Sequence, residues 1–178
     1  MSNLKIKISG FGGQGVILSS YITGKAASIF DGLNASMTQA YGPEARGGAC
    51  SAQVVISSNE VDYPLVDSAD VLIALSQEGY DKFLPILKSD GILCYDEDLV
   101  KVLQSHEKIT ANKIPATRIA EGLGKKIVAN IVMLGFAVAQ AKITSFDGMK
   151  EAVIESVPAK FLDLNLKAFQ TGYDYKGD

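Results

Sequence analysis

Four glycines fall within six residues, Gly10-Phe11-Gly12-Gly13-Gln14-Gly15, and they mark the first place where this chain could do chemistry with its backbone. Glycine accepts positive φ and carries no Cβ, so such a turn lets backbone N–H groups at the start of a helix point at an anion. The partial positive charge of a helix N-terminus favours the same ligand. The expected chemistry is an anion cradle for phosphate or carboxylate. Gly10, Gly12 and Gly15 formally satisfy G-x-G-x-x-G. A dinucleotide site also needs an acidic residue at the end of the second strand, about 20 residues on. Here the apolar run Leu33 to Met37 ends in Thr38-Gln39-Ala40, and Asp31 precedes it. No lysine follows Gly15, where Val16-Ile17 stands, so the nucleotide-triphosphate loop is not matched either.

A second segment, Tyr41-Gly42-Pro43-Glu44-Ala45-Arg46-Gly47-Gly48, is punctuated as a loop by Gly42-Pro43 and Gly47-Gly48. Arg46 is its main chemical asset, because a guanidinium takes carboxylate or phosphate in a bidentate fashion. Glu44 and Arg46 could also be an ordinary surface pair. The loop's expected position at the carboxyl end of the second strand, beside the glycine cradle, favours ligand contact. Ser76 and Gln77 close the continuous apolar run Val71 to Leu75 at the same edge. Asn130 lies inside an apolar helix pattern and must satisfy its amide, either by tying that helix to the glycine loop or by touching a ligand.

Other chemistries lack their parts. His106, the sole histidine, lies in the polar turn Gln104-Ser105-His106-Glu107 and is read as a surface residue, so no nucleophile with a histidine base is assembled. No catalytic residue is assigned. Cys50 and Cys94 each sit in a strand-like apolar run and form no C-x-x-C pair, so they are expected to be reduced core residues. Asp96-Glu97-Asp98 is expected to be a solvated loop and helix cap, and no metal site is expected. A net charge of −3 and a pI near 5.2, without a basic block, speak against nucleic acid. Polar and charged residues fall within the first seven, Ser2, Asn3, Lys5 and Lys7, with no signal peptide pattern, and Ile127 to Ala141 is interrupted by Asn130, Gly135 and Gln140. A soluble, cytoplasmic protein without membrane contact is the expectation.

These residues need a frame. Leu4, Ile6 and Ile8 alternate with polar residues as a strand, and Val16, Ile17, Tyr21, Ile22, Ala26, Ile29 and Phe30 recur at helical steps after the glycines. Strands are expected near Leu33 to Met37, Ala49 to Ser57, Val71 to Leu75, Ile92 to Tyr95 and Lys108 to Ile114. Val61 could pair briefly and antiparallel with the third strand, which would make the sheet mixed. Helices are expected over Glu78 to Leu87, bent or stopped by Pro85, and after Thr117 as cap. From Lys125 the pattern is helical, with Ile127, Ile131, Leu134, Val138 and Ala141 on one face, a cap at Thr144 or Ser145, and a last helix opened by Pro158. The 178 residues, 47% of them hydrophobic, suffice for a full core and are read as a single domain spanning 1–178. The fold class is α/β: three layers, α/β/α, a mostly parallel or mixed sheet, a Rossmann-like glycine loop after strand 1, and a helical C-terminal part.

The two loops together resemble the gamma subunit of the 2-oxoacid:ferredoxin oxidoreductases. Ser68-Ala69-Asp70-Val71-Leu72-Ile73, Pro115-Ala116-Thr117, Asn130 with Leu134-Gly135, and Asn165 with Ala168-Phe169 and Gly172-Tyr173 extend the resemblance across the chain. It implies membership of a complex that decarboxylates a 2-oxoacid on thiamine diphosphate with Mg, passes the acyl group to coenzyme A, and sends electrons through iron–sulfur clusters to ferredoxin. The cofactors would be held by other subunits, with alpha, beta and delta chains as partners. This chain would contribute assembly and the docking of coenzyme A, through Gly10, Gly12, Gly13, Gln14, Gly15, Tyr41, Gly42, Pro43, Glu44, Arg46, Gly47 and Gly48, backed by Ser76 and Asn130. The form of the second loop is closest to the 2-oxoglutarate and branched-chain types, and 2-oxoglutarate is the first choice. Pyruvate and indolepyruvate enzymes, a free-standing NAD-binding domain and a purely structural subunit stay open.

Overall fold

A computed structural model of the chain describes residues 3–41, 48–102 and 108–177. Its centre is a six-stranded sheet in the order β2-β3-β1-β4-β5-β6. The strands are β1 (Leu4–Phe11), β2 (Asn34–Tyr41), β3 (Ala49–Ser57), β4 (Ala69–Ala74), β5 (Leu87–Asp96) and β6 (Thr110–Ile114). β1, β4, β5 and β6 are mutually parallel, whereas β3 runs antiparallel to both β1 and β2. The sheet is therefore mixed, as expected, but for another reason. Val61 lies in no strand, and β3 supplies the reversal. The second strand also runs on to Tyr41 rather than stopping at Met37, because each of its eight residues finds a partner in β3.

This order bears directly on the dinucleotide reading. In that fold the strand beside β1 is parallel and carries the ribose-binding acid at its end. Here the antiparallel β3 occupies that place along its whole length, from Leu4↔Ile56 to Phe11↔Ala49.

One face of the sheet is covered by α1 (Val16–Lys25), α3 (Ala116–Gly122), α4 (Ala129–Ala141), α5 (Phe146–Ser156) and α6 (Leu162–Asp174). The other is covered by α2 (Gln77–Phe83), with Val66 and Val100 from flanking segments. α2 stops at Phe83 and tightens into a 3-10 turn, Leu84–Ile86, because Pro85 cannot continue the ladder. On the larger face Ile6, Ile8, Ile131, Leu134 and Phe169 are completely enclosed, each contributing roughly 1.5–3 kcal/mol of hydrophobic stabilisation. α4 and α6 approach backbone to backbone: a Cβ on Gly135 would overlap the carbonyl oxygen of Phe169, and one on Gly172 that of Val132. Ser145 caps α5 by accepting from Gly148 N at 2.9 Å, and its own hydroxyl donates to Asp31.

Three local expectations change. Thr117 does not cap α3; its N–H and hydroxyl donate to Asp96 at 2.8 and 2.6 Å, so the carboxylate at the end of β5 satisfies the helix start. Asp96 is accordingly fully buried rather than solvated, while Glu97 and Asp98 pair with Arg118 at the surface. Ile127, placed on the buried face of α4 by periodicity, is 71% exposed, because a 3-10 turn over Lys126–Val128 precedes the helix and rotates it outward.

Candidate functional site

β1 and β4 lie side by side and parallel, yet their following helices depart to opposite faces of the sheet, α1 to one and α2 to the other. This is the topological switch point at which open α/β sheets leave a crevice beyond the carboxyl ends of their strands. The glycine loop fills the lip of that crevice. Gly13 and Gly15 hold φ values of 95° and 75°, which bend the chain sharply from β1 into α1 and suit glycine. Gln14 folds back beneath the loop: its Oε1 accepts from Phe11 N at 2.6 Å and its Nε2 donates to the Leu75 carbonyl at 2.8 Å. It bridges the ends of β1 and β4, and Gly10 must be small because Gln14 Oε1 stands 2.5 Å from where a Cβ would be.

Asn130 supports the loop from the other side. Its amide donates to the Gly15 carbonyl at 3.4 Å and fills the space that a Cβ on Gly15 would need. The tie between helix and loop is thus made, while Asn130 still borders the crevice. Ser76 is otherwise engaged: its hydroxyl accepts from Gly79 N at 3.1 Å as the cap of α2. Gln77 is also committed, bonding to the backbone of Lys101.

The second loop begins and ends beside the first. Tyr41 pairs with Cys50, Phe11 pairs with Ala49, and Gly12 N donates to Gly48 O at 3.0 Å. Gly42, Pro43, Glu44, Arg46 and Gly47, and the side chain of Tyr41, lie outside the described residues. So does the turn that holds His106.

Two adjoining clefts open at the glycine loop and share Gly13, Ile127 and Asn130. One, of about 260 Å³, reaches Leu75, Thr117 and Lys126. The other, of about 420 Å³, runs under Lys125, Val128, Val157, Phe161 and Leu164 and is largely apolar. Lys125 lies 4.0 Å above the Phe161 ring and Lys160 4.9 Å from it. Lys126 is exposed and lies 3.8 Å from Glu121. The positive charge of this site therefore comes partly from residues that follow α3. Sequence reading missed them, since Lys125 and Lys126 look like any solvated helix start; the apolar Ile127 beside them is the one local oddity. An arrangement of glycine cradle, two lysines and a greasy trough suits a ligand that is anionic at one end and apolar along its length.

Cys50 and Cys94 are buried on β3 and β5, with β1 and β4 between those strands. Burial pushes the Cys94 thiol up to about 12 and raises Cys50 as well, so both are protonated. An iron–sulfur cluster needs four thiolates, and these two cysteines neither suffice nor converge. Among the described residues, no three His, Cys, Asp or Glu side chains gather around one point.

Comparison with known proteins gives a consistent set of likenesses. Residues 5–175 match the profile of the family described as pyruvate ferredoxin/flavodoxin oxidoreductase. The chain is 47% identical over 172 residues to 2-oxoglutarate synthase subunit KorC of Methanocaldococcus jannaschii, covering 96% of this chain and 92% of that one. It is 39% identical to ketoisovalerate oxidoreductase subunit VorA of Methanothermobacter marburgensis, spanning 97% of this chain but 36% of the relative. The crystal structure of a keto/oxoacid ferredoxin oxidoreductase gamma subunit from Geobacter sulfurreducens PCA aligns with a TM-score of 0.89 at 41% identity, covering 98% and 96% of the two chains. A 2-oxoglutarate:ferredoxin oxidoreductase from Magnetococcus marinus, with 2-oxoglutarate, coenzyme A and succinyl-CoA bound, aligns with a TM-score of 0.86 at 26% identity, over 97% of this chain and 30% of that one.

Proposed function

This chain belongs to the pyruvate ferredoxin/flavodoxin oxidoreductase family, and on that premise we propose that it is the gamma-type subunit of a 2-oxoglutarate:ferredoxin oxidoreductase and forms part of its coenzyme A site. The complex would convert 2-oxoglutarate and coenzyme A to succinyl-CoA and CO₂ and deliver the electrons to an iron–sulfur acceptor. Full-length similarity to 2-oxoglutarate synthase subunits supports the substrate; similarity to ketoisovalerate enzymes keeps the branched-chain acids as the second choice.

Thiamine diphosphate and the iron–sulfur clusters supply the decarboxylation and electron transfer in such complexes. The residues of this chain do not fit a cluster, so these groups are assigned to the alpha, beta and delta partners. What this chain offers is binding. The observation that carries the coenzyme A reading is the switch-point crevice, where Gly13 and Gly15 turn the backbone toward Lys126 and Lys125 and an apolar trough continues beneath them. Coenzyme A has matching parts: a pyrophosphate and a 3′-phosphate for the cradle, the lysines and Arg46, and a long pantetheine arm for the trough.

A purely structural role is favoured by one observation, that Gln14 and Asn130 spend their amides on backbone groups of the loop and of the end of β4. Steady-state kinetics of the assembled complex separate the two readings. With Lys126→Glu, the coenzyme A reading expects the KM for coenzyme A to rise about tenfold, with the KM for 2-oxoglutarate unchanged. An unchanged KM for coenzyme A in Lys126→Glu and in Arg46→Ala would leave the structural reading in its place. Assay of the same sample with 2-oxoglutarate, branched-chain 2-oxoacids, pyruvate and indolepyruvate tests the substrate.

A further inference from the structure

The two edges of the sheet are treated differently. β6 is short, five residues, and carries Lys113, which is paired with Glu97 at 3.0 Å. A short strand with a lysine is how proteins ordinarily prevent an open edge from pairing with another chain. β2 has none of these protections. Its eight residues, Asn34-Ala35-Ser36-Met37-Thr38-Gln39-Ala40-Tyr41, include no charge and no proline, and they pair with β3 without a bulge. Its outer backbone groups have no strand partner among the described residues.

The helix above this edge is unprotected in the same way. α1 turns Ser19, Ser20 and Thr23 inward, where they are buried and bond to backbone carbonyls of their own helix or lie against the sheet. Val16 and Ile22 of the same helix enter the core, but three large apolar residues of α1 and its continuation face out: Leu18 is 38% exposed, Tyr21 51% and Ile29 65%. Ile29 stands on the π-helical turn Ala26–Phe30 that continues α1. Tyr21 and Ile29 wall an open groove of about 360 Å³ whose floor is Ala35 and Met37 of β2.

We propose that β2 and the outer face of α1 form a two-fold interface with a second copy of this chain, the two β2 strands pairing antiparallel to give one continuous sheet. The geometry is self-consistent. A two-fold axis normal to the sheet makes adjacent strands antiparallel and keeps both copies of α1 on the same side, so Tyr21 and Ile29 of each copy face the groove of the other. An uncharged edge meets itself without like-charge repulsion, and closed two-fold dimers are the commonest oligomer. A strand of eight residues is roughly 26 Å long. With the side of a helix layer roughly 20 Å deep, the strip is about 500 Å² per copy, or about 1,000 Å² in total, the lower bound for a specific interface.

The test is sedimentation of the full chain over a wide concentration range, joined to amide hydrogen exchange and to native mass spectrometry of the assembled complex. The expected result is an apparent mass that doubles with concentration, exchange of β2 amides that slows in step while β6 amides do not change, and an even number of copies of this chain per complex. Ile29→Lys and Gln39→Lys, both at exposed positions, should each weaken the dimer at least about tenfold by setting like charges across the axis, with the Tm of the monomer unchanged. A chain that stays monomeric alone with one copy per complex would overturn the proposal. A dimer whose β2 amides exchange at the monomer rate, or β2 protection that arises only when another subunit binds, would overturn it too.

Discussion

The side-chain amide of Asn130 lies against the Cα of Gly15 and donates to its carbonyl at 3.4 Å, so one residue of α4 sets the shape of a loop 115 positions earlier in the chain. Asn130 is 3% exposed, and the loop has φ of 75° at Gly15. Loop and helix are therefore coupled by both sterics and conformation.

Gly15→Ala should destabilise the protein by about 2–4 kcal/mol, from the left-handed backbone and from collision with Asn130. Gly13 provides the control. Its φ is 95°, but nothing lies within 4 Å of its missing Cβ, so Gly13→Ala should lose only the conformational part, about 1 kcal/mol. Thermal unfolding of both variants, and of Gly15→Ala combined with Asn130→Ala, measures the coupling. The double variant should lose less than the sum of the two single losses. Full additivity would mean that Asn130 and Gly15 do not sense each other.

The α4–α6 crossing makes a second prediction. Gly172→Val places side-chain atoms on the carbonyl of Val132 and should cost about 3 kcal/mol, a Tm drop of roughly 6–12 °C for a chain of this size. Gly122 in α3 has no atom within 4 Å of its missing Cβ and no positive φ, so Gly122→Ala should be neutral or stabilising by up to about 1 kcal/mol. Equal losses in the two variants would rule out backbone contact as the reason for Gly172.

How much of this was legible in the sequence depends on the range of the cause. The glycine loop, α1, β3 and the central strand β4 were readable because positive φ, helical period and unbroken apolar runs are local signals. Strand direction is not local: the alternation of Ala49 to Ser57 is the same whichever way β3 runs, so its antiparallel place beside β1 could not be read from it. The wider extent of β2 also depends on its partner. Tyr21 and Ile29 fitted an apolar helix pattern, yet they face outward, because Ser19, Ser20 and Thr23 are small enough to let α1 lie close to the sheet, and Ser20 and Thr23 satisfy their hydroxyls on carbonyls of the helix. Lys125 and Lys126 reach the crevice only through the packing of α4 on the larger face, which no spacing near Gly15 announces. Asp96 read as one of three acids, and only the arrival of Thr117 distinguishes it.

Cys94 gives stability a pH dependence with a definite sign. Its folded value is about 12, raised by burial, whereas an unfolded cysteine titrates near 8.5. The thiol is kept protonated by the fold, so its contribution is complete below about pH 8.5 and is lost as pH rises toward 12, by about 1.4 kcal/mol per pH unit. Lys7, lowered by burial and then by Lys82, acts in the opposite sense: its burden eases as pH rises from its lowered value toward about 10.4. The clean measurement is a difference. Urea unfolding at pH 8, 9 and 10 should show a shallower decline, or a steeper rise, for Cys94→Ala than for the parent chain. Parallel pH profiles would mean that Cys94 is not shielded. In the native protein at pH 8, Cys94 should also resist a thiol reagent that modifies both cysteines after denaturation.

The final prediction concerns the anion cradle, and it turns on the difference between blocking a backbone and removing a charge. Gly13 borders both clefts and holds its positive φ with no side chain in the way. Gly13→Val would place branched carbons where phosphate oxygens would lie and distort the N–H groups that would bind them. Arg46→Ala and Lys126→Glu leave the glycines in place and alter only side-chain charge. If coenzyme A docks here, the KM for coenzyme A in the assembled complex should rise about tenfold for either charge variant and by at least about 100-fold for Gly13→Val. Raising the salt concentration should weaken binding in the parent complex more than in Lys126→Glu, since part of the screened attraction has already been removed. If Gly13→Val lowers the Tm yet leaves the KM for coenzyme A unchanged, the glycines serve the turn between β1 and α1 alone, and coenzyme A binds elsewhere in the complex.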